Sequence, residues 1–189
     1  SDSGSGDSDT GSEPAAECPA GTTTVSSTVC ALPATISSDV TLTADFDYLM
    51  EGRVTVGNGN GQLTTNNDGT LPDGSAVQSV TLTIEAGVEI KGKQDTFANL
   101  IITRGSKIMA MGTKTNPIIM SSEDEGYDGA GEWGGLIIHG YAPHNECEVG
   151  GTYCDIDSEG ESCFAGGYDI DDSSGVLNYL AVAEGCYGF

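Results

Sequence analysis

The sequence repeats a short apolar motif at a fixed interval. Four triplets of apolar or β-branched residues begin at Leu82, Leu100, Ile118 and Leu136, so each follows the one before by the same step. Gly87 and Gly105 keep that step, as do Ile90 and Ile108. A fixed period, with turn residues between short apolar runs, is typical of a solenoid in which each coil stacks on its predecessor.

The apolar runs favour strands over helices. They are short and rich in Ile and Val, whereas helices need at least about 10–12 residues. Gly, Pro, Asn and Asp lie between them, as in turns. We therefore predict an all-β solenoid with coils of about 18 residues, the interval between triplets, which can pass once round a prism of three short strands. The alternative is an ordinary β-sandwich in which the interval arises by chance.

In such coils, equivalent positions form ladders. One inner ladder would contain Leu82, Leu100, Ile118 and Leu136, and a second would contain Ile84, Ile102, Met120 and Ile138. The intervening row points outward and consists of Thr83, Ile101, Ile119 and Ile137. Because this row is largely apolar, we expect a long loop, the N-terminal segment or a neighbouring subunit to cover it.

Several segments resemble a known family. They read LTIEAGVEIKG, LIITRGSKIMAMGTKTNPIIMSS, EWGGLIIHGYAP and YDIDDSSGVLNYLAVAEG. Over roughly residues 80–185 the chain resembles bacterial secreted or lipid-anchored proteins with a right-handed parallel β-helix of the pectin-lyase type. The resemblance implies that fold and an extracellular or bacterial cell-surface location. The Ser/Gly/Asp-rich opening is similar to the tether that follows the lipid-bearing cysteine of bacterial lipoproteins.

Composition divides the chain into three parts. Residues 1–17 contain only small, polar and acidic residues and are predicted to form an extended linker. Residues 18–78 are predicted to form an N-terminal strand and cap region. Residues 79–189 are predicted to form the coils, with a long loop inserted at 141–175.

The charge balance excludes some partners. The 189-residue chain carries a formal net charge of −23, with six basic residues. Such a surface repels nucleic-acid phosphates and anionic membranes, so we predict no nucleic-acid partner. No apolar run approaches the roughly 18 residues of a membrane-spanning helix.

Six cysteines predict disulfides and an oxidising compartment. The predicted bonded residues are Cys18, Cys30, Cys147, Cys154, Cys163 and Cys186. Cys18 and Cys30 both precede the coils and lie close in sequence, so we expect them to pair. The other four leave three possible pairings.

Acidic residues in the insertion predict a calcium site. Asp155, Asp157 and Glu159 alternate before Gly160, as in the first half of a calcium loop. The residues proposed as ligands are Asp155, Asp157, Glu159, Glu161, Asp169, Asp171 and Asp172. The alternative is a solvated acidic loop. Glu123, Asp124, Glu125 and Asp128 form a weaker candidate.

Catalytic patterns are weak. Arg104 and Lys107 flank a turn at Gly105 without a matching acid cluster. Neither His139 nor His144 is accompanied by a Ser or Cys nucleophile motif, so structural roles are favoured for both histidines. Trp133 beside two glycines favours packing across the backbone over a sugar-binding platform.

Two functions are consistent with these patterns. The first is an extracellular structural or surface-assembly subunit that self-associates end to end, for example into filaments, since solenoid ends expose unpaired strand edges. The strand predicted at 176–182 is followed by a weak cap, and residues 22–29 could add a strand to a neighbour. The alternative for the Ser- and Thr-rich stretch 22–38 is attachment of O-linked glycans. The rival explanation is that further coils of a longer chain cover this end. The second function is carbohydrate binding or polysaccharide degradation.

Overall fold

All regular structure in the described residues is β. The computed structural model describes residues 16–64, 69–152, 154–158 and 164–185. Most of the predicted linker, residues 1–15, lies outside this range. The strands are β1 (Thr23–Thr24), β2 (Val29–Ala31), β3 (Thr35–Ile36), β4 (Val40–Leu42), β5 (Asp47–Met50), β6 (Val54–Val56), β7 (Thr81–Ile84), β8 (Glu89–Gly92), β9 (Leu100–Ile102), β10 (Lys107–Met111), β11 (Ile118–Ser122), β12 (Leu136–Ile138), β13 (Ile156–Asp157), β14 (Phe164–Ala165), β15 (Gly175–Asn178) and β16 (Leu180–Val182).

Three stacked sheets form the body. Sheet 1 has the order β1-β2-β5-β8-β11-β16, sheet 2 has β12-β9-β6-β3, and sheet 3 has β15-β10-β7-β4. The chain visits sheets 1, 2 and 3 in rotation, and all their pairings are parallel except β1 with β2. The predicted all-β parallel β-helix is therefore confirmed. In the ranges given above, no helix is long and apolar enough to cross a membrane.

The predicted coil length is wrong for all but the first coil. Along sheet 1, Cys30 pairs with Tyr48, which keeps the predicted interval. The next partner of Tyr48 is Ile90, more than twice that interval further along the chain. Ile90 in turn pairs with Met120, again more than one interval away. The last step, from Met120 to Val182, is more than three times the predicted length.

The repeated interval spans two strand steps from Leu82 to Leu100 and from Leu100 to Ile118, and a single step from Ile118 to Leu136, so it is never a whole coil. Leu82 stacks on Ile108 of β10, not on Leu100. Among the predicted ladders only the β9 and β12 members stack, because those strands are neighbours in sheet 2. From β7 to β11, successive strands begin on average about half an interval apart. Two such steps give the interval, whereas a three-sided coil needs three.

The core is made of inward-facing side chains from all three sheets. Inner rows run through Cys30, Tyr48, Ile90, Met120 and Val182 in sheet 1, through Ile36, Val56, Ile102 and Ile138 in sheet 2, and through Leu42, Ile84, Ala110 and Leu177 in sheet 3. Most members before the last coil are fully buried in one cluster. Burial of these rows is the main stabilising contribution, at about 25 cal/mol per Å² of apolar surface.

The N-terminal segment closes one end of the helix. β1 folds back antiparallel on β2, with Thr23 opposite Ala31. The predicted disulfide between Cys18 and Cys30 is present, and Cys18 packs against the core. Strand β1 of residues 22–29 therefore pairs within its own chain and not with a neighbour, and the predicted division into a cap region at 18–78 and coils at 79–189 stays a prediction.

The predicted single strand at 176–182 is two strands. β15 lies in sheet 3 and β16 in sheet 1, and the chain turns between them at Tyr179, whose φ is 44°. This turn brings the chain from the fourth coil into the start of a fifth.

The predicted cover over the outer row is present on sheet 2. Ile101 is fully buried although it faces away from the core. Leu63 and Cys154, from two long loops, are also buried outside the main core cluster. The loops therefore cover the outer side of sheet 2. Thr83 and Ile119, in the other sheets, are half-buried.

The coil register can be tested by engineered disulfides. Thr83→Cys with Met109→Cys places two thiols directly opposite each other on neighbouring parallel strands, within the Cα separation that a disulfide requires. We expect this pair to cross-link under mild oxidation, as measured by peptide mass spectrometry. The pair Thr83→Cys with Ile101→Cys, which a coil of the predicted length would align, should remain unlinked. The reverse result would contradict the register.

Candidate functional site

Three successive turns meet at one edge of the β-helix. Here the chain passes from sheet 2 to sheet 3, and we call this edge the 2–3 corner. The second coil has a long loop there (57–80), the third a tight turn (103–106), and the fourth the insertion (139–174). The tight turn lies between the two long loops in the coil stack, so one side chain from it can reach both.

Arg104 is that side chain, and it is fully buried. Its Nε donates to the carbonyl of Gly59 at 3.1 Å, and one terminal nitrogen donates to Gly61 at 2.7 Å. The other terminal nitrogen donates to Asp155 Oδ1 at 2.6 Å and to the Gly166 carbonyl at 3.3 Å. The planar guanidinium thus binds the preceding coil's loop on one side and the insertion on the other.

Asp155 completes a buried ion pair. Both the Arg104 and the Asp155 side chains are 0 % exposed. The second carboxylate oxygen, Oδ2, accepts a hydrogen bond from the backbone N–H of Leu63 at 3.1 Å. The carboxylate therefore also links the insertion to the loop of the second coil.

A disulfide, a strand pair and a backbone hydrogen bond restrain the insertion beside Asp155. A disulfide joins Cys147 to Cys154, the residue immediately before Asp155. Strands β13 and β14 pair antiparallel just beyond it, and Phe164 N–H donates to the carbonyl of Asn60 at 2.9 Å. These restraints hold the carboxylate in place opposite Arg104. Cys163 and Cys186 lie outside the described residues, so their predicted pairing stays a prediction.

Two glycines let the backbones approach closely enough for this arrangement. A Cβ at Gly59 would collide with the carbonyl of Arg104, and a Cβ at Gly167 would collide with the carbonyl of Tyr141. The Tyr141 ring centroid lies 5.9 Å from the Arg104 guanidinium carbon, within range of a cation–π interaction. Burial raises the pKa of the Tyr141 phenol.

His139 lies beside this ion pair and is nearly fully buried. Its Nε2 is 2.9 Å from Ser158 Oγ. Its Nδ1 is buried without a hydrogen-bond partner among the described residues. Burial, reinforced by the nearby Arg104 charge, lowers the pKa of His139 to about 4. The imidazole is therefore neutral at neutral pH.

The arrangement is that of a structural anchor. The Arg104 guanidinium donates its hydrogen bonds to backbone carbonyls and to Asp155. His139 contacts Ser158 through Nε2, but no described carboxylate binds its Nδ1 to orient the imidazole as in a catalytic triad. Lys107 is exposed on β10 instead of joining Arg104. From the sequence Arg104 was only a weak catalytic candidate, and its pairing with Asp155 was missed.

The described members of the predicted calcium site form no group of three carboxylates as compact as a metal site requires. Asp155 is occupied by Arg104, and Asp172 Oδ2 accepts from the Tyr141 N–H at 2.9 Å. Asp157, Asp169 and Asp171 are exposed. Glu159 and Glu161 lie outside the described residues. The calcium site in the insertion therefore stays a prediction, with Asp155 committed to another partner.

A different acidic group is more compact. Carboxylate oxygens of Asp124, Asp128 and Glu132 all lie within 4.8 Å of one another, and no other such group of His, Cys, Asp or Glu occurs in the described ranges. It belongs to the turn between β11 and β12 that the sequence marked as the weaker candidate. Exposed acidic groups of this kind are common without an ion.

Trp133 is a packing residue. Its side chain is 1 % exposed and belongs to the core cluster. Its indole Nε1 donates to the carbonyl of Ala183 at 2.7 Å, which fastens the segment after β16 to the fourth coil. The predicted packing role is thus confirmed, and Trp133 offers no sugar-binding platform.

The last coil that the structure describes leaves apolar side chains half-exposed at the far end of the β-helix. We call the surface formed by the last members of the inner rows the C-terminal end face. Edge strands β12, β15 and β16 surround it. It is lined by Leu136, Ile138, Leu177, Tyr179, Leu180 and Val182. Leu177 and Val182 are each 48 % exposed, although their row neighbours Ala110 and Met120 are fully buried.

The fold and these features define a parallel β-helix protein with a corner insertion. A profile of the family described as "Pectate-lyase like beta helix domain" matches residues 71–185. This match covers more than half of the chain, so the protein belongs to that family. No curated protein and no solved structure shows a significant match.

The ion pair is expected to be essential for the order of the insertion. Asp155→Ala leaves the buried Arg104 charge unpaired, and we expect a loss of about 3–5 kcal/mol of stability. Denaturant titration measures it, and limited proteolysis detects local release of residues 139–174. The matched control, Glu51→Gln, removes the exposed Lys93–Glu51 pair and should cost less than about 1 kcal/mol. Wild-type stability and protease resistance in Asp155→Ala would contradict this role.

The depressed pKa of His139 predicts acid sensitivity. Its folded pKa of about 4 lies below the ordinary value of 6.5, so the unfolded chain binds more protons between these values. The free energy of unfolding should therefore fall as the pH drops from 6.5 to 4, by at most about 3 kcal/mol. His139→Gln should remove this component, measured by denaturation at several pH values. His144→Gln, at an exposed position, is the control, and identical pH profiles for wild type and His139→Gln would refute the assignment.

Proposed function

We propose that this protein is a non-catalytic, extracellular structural β-solenoid that associates through its end. The observation that carries this proposal is the C-terminal end face. Three apolar rows, continuous through the core, finish there in half-exposed side chains. Unpaired edge strands around an apolar surface form a template for another chain, and natural solenoids cover such ends.

Disulfides support an extracellular setting. Cys18–Cys30 and Cys147–Cys154 are both bonded, and disulfides persist mainly in oxidising compartments such as the bacterial periplasm and the cell exterior. We propose the extracellular space or a bacterial cell surface, where a lipid-linked tether before the β-helix would hold the protein in place.

The residues suggested for catalysis support a structural role. Arg104 is used to join three turns, and His139 is buried behind the insertion. A reacting group needs access to substrate, and both side chains are shielded from solvent.

End-on association is tested by sedimentation velocity over a wide range of protein concentration. We expect concentration-dependent association, since the apolar face loses its exposure on contact. Electron microscopy of the same samples distinguishes filaments from single particles. A monomer at all concentrations would contradict the proposal.

Carbohydrate binding is the second candidate, favoured by two exposed aromatic residues. Phe97 and Tyr127 occupy the corner between sheets 1 and 2 in successive coils and are 64 % and 58 % exposed. Exposed aromatic faces pack against sugar rings, and the family description names pectate lyase. Incubation with acidic polysaccharides tests degradation. Unsaturated products, followed by ultraviolet absorbance, would overturn the non-catalytic proposal.

We also propose that calcium orders the acidic loop within the insertion. The available ligands are Asp157, Glu159, Glu161, Asp169 and Asp171, because Asp155 and Asp172 have other partners. Binding to the folded state alone raises stability by about 2.7 kcal/mol at a hundredfold excess over Kd. We expect millimolar calcium to raise the melting temperature and Asp157→Asn with Asp169→Asn to abolish the rise. Calcium would instead bind in the β11–β12 turn if it still raised the melting temperature of this double variant and no longer raised that of Asp124→Asn with Asp128→Asn.

A further inference from the structure

We propose that Asn60 is a site of spontaneous chemical modification, and that the modified chain no longer holds the insertion at the 2–3 corner. The reaction converts this asparagine to isoaspartate, with water as the only co-reactant and without an enzyme. The inference concerns the structural anchor around Arg104 and is independent of association through the C-terminal end face.

The chemistry requires an asparagine that is followed by a glycine. The backbone nitrogen of the glycine attacks the side-chain carbon Cγ of the asparagine, and the bond from Cγ to Nδ2 breaks. Ammonia leaves and takes the proton that the glycine nitrogen gives up. Water then opens the resulting imide ring at either carbonyl. One product is aspartate, and the other is isoaspartate, in which the main chain runs through the former side chain.

The sequence contains two such pairs, Asn58-Gly59 and Asn60-Gly61. Both pairs lie at the start of the long loop of the second coil, on the 2–3 corner. In each pair the glycine has no Cβ to hinder the attack. The local sequence is therefore equally favourable at both asparagines, and the folded structure decides which one reacts.

The first pair is restrained at both reacting groups. Asn58 Nδ2 donates to the carbonyl of Ala76 at 3.2 Å, and its Oδ1 accepts from the Gln78 N–H at 2.7 Å. The attacking nitrogen, that of Gly59, donates to Thr103 Oγ1 at 3.1 Å, and Thr103 is fully buried. These hydrogen bonds must break before this pair can react.

The second pair lacks these restraints. Within the described ranges, neither the side-chain amide of Asn60 nor the N–H of Gly61 has a hydrogen-bond partner. Both residues are half-buried, so solvent can supply the water for hydrolysis. The attacking nitrogen and the amide are both available, which assigns the modification to Asn60 and not to Asn58.

The anchor controls how fast Asn60 reacts, because the carbonyls of this stretch are in use. The Gly59 carbonyl accepts from Arg104 Nε at 3.1 Å, and the Gly61 carbonyl accepts from a terminal Arg104 nitrogen at 2.7 Å. Between them, the Asn60 carbonyl accepts from the Phe164 N–H at 2.9 Å. These bonds restrain the rotation that brings the Gly61 nitrogen to Cγ. We therefore expect the reaction to be slower in the intact protein than in a chain whose anchor is loosened.

The isoaspartate product does not fit the anchor. Its main chain is longer by one carbon, so the carbonyls of Gly59 and Gly61 lose the spacing that a single planar guanidinium requires. The backbone has no room to compensate, since even a Cβ at Gly59 would collide with the carbonyl of Arg104. Arg104 then loses its alignment with Asp155, and the insertion is released. The change does not revert to asparagine, because ammonia has left.

The test is a timed incubation of the full chain at mildly alkaline pH, followed by peptide mass spectrometry that separates isoaspartate from aspartate. We expect isoaspartate to form at Asn60 at least about tenfold faster than at Asn58, because fewer hydrogen bonds must break. Limited proteolysis of the same samples should show cleavage within residues 139–174 in proportion to the isoaspartate content. Asp155→Ala, which loosens the anchor, should accelerate the reaction at Asn60.

Two variants isolate the effect of the longer main chain. Asn60→Gln keeps an amide that must close a larger ring, so this variant should resist modification and keep its insertion protected. Asn60→Asp introduces the charge of the product without the additional main-chain carbon, and before incubation it should be as protease-resistant as the wild type. Circular dichroism verifies that each variant is folded.

Each contrary result overturns a defined step. Modification of Asn58 as fast as Asn60, or of neither in the folded chain under conditions that modify both in urea, would overturn the assignment of the site. Isoaspartate at position 60 with unchanged protease resistance would overturn the release of the insertion. An unchanged rate in Asp155→Ala would overturn control by the anchor.

Discussion

The buried pair between Arg104 and Asp155 is the interaction on which the irregular half of the structure depends. A β-helix is held together by rows that contact only neighbouring coils, whereas the described part of the insertion has only the two-residue strands β13 and β14. Arg104 compensates by binding backbone carbonyls of the second coil's loop and the insertion together. Since an unpaired buried charge costs several kcal/mol, the Asp155 carboxylate is the contact whose loss should most weaken the attachment of the insertion to the body.

The same one-dimensional architecture explains why the ends matter more than the faces. Every interior strand has a neighbour on both sides, so its hydrogen bonds and its apolar side chains are satisfied within the coil stack. Among the described residues, only strands of the first and last coils have a neighbour on one side alone within the three sheets. The N-terminal segment covers the first coil with a strand and a disulfide, and the last coil leaves Leu177 and Val182 half-exposed. The proposed association through the last coil rests on this difference between the two ends.

Sequence patterns predicted local features correctly and spatial ones poorly. The triplets at Leu82, Leu100 and Ile118 are strands as predicted, yet they belong to three different sheets. Inner positions of all three sheets are equally apolar. The apolar pattern therefore does not show whether a repeated interval corresponds to two strands or to a full coil of three. Asp155 resembled a metal ligand because it begins an alternating acidic run. Its partner Arg104 lies far back in the chain, in an earlier coil, and no local signal connects the two.

The sequence alone determined the β class, the parallel stacking of short strands, the Cys18–Cys30 disulfide and the packing role of Trp133, because alternation, turn residues and short cysteine spacing act over a few residues. Tertiary structure alone decided which strands stack, which loops meet at the 2–3 corner and which described coil leaves its apolar side chains half-exposed. Coil length depends on where the corner loops are inserted, and these loops vary without disturbing the strands. Arg104 became a structural anchor because stacking placed its tight turn between two long loops, an adjacency that exists only after the coils have formed.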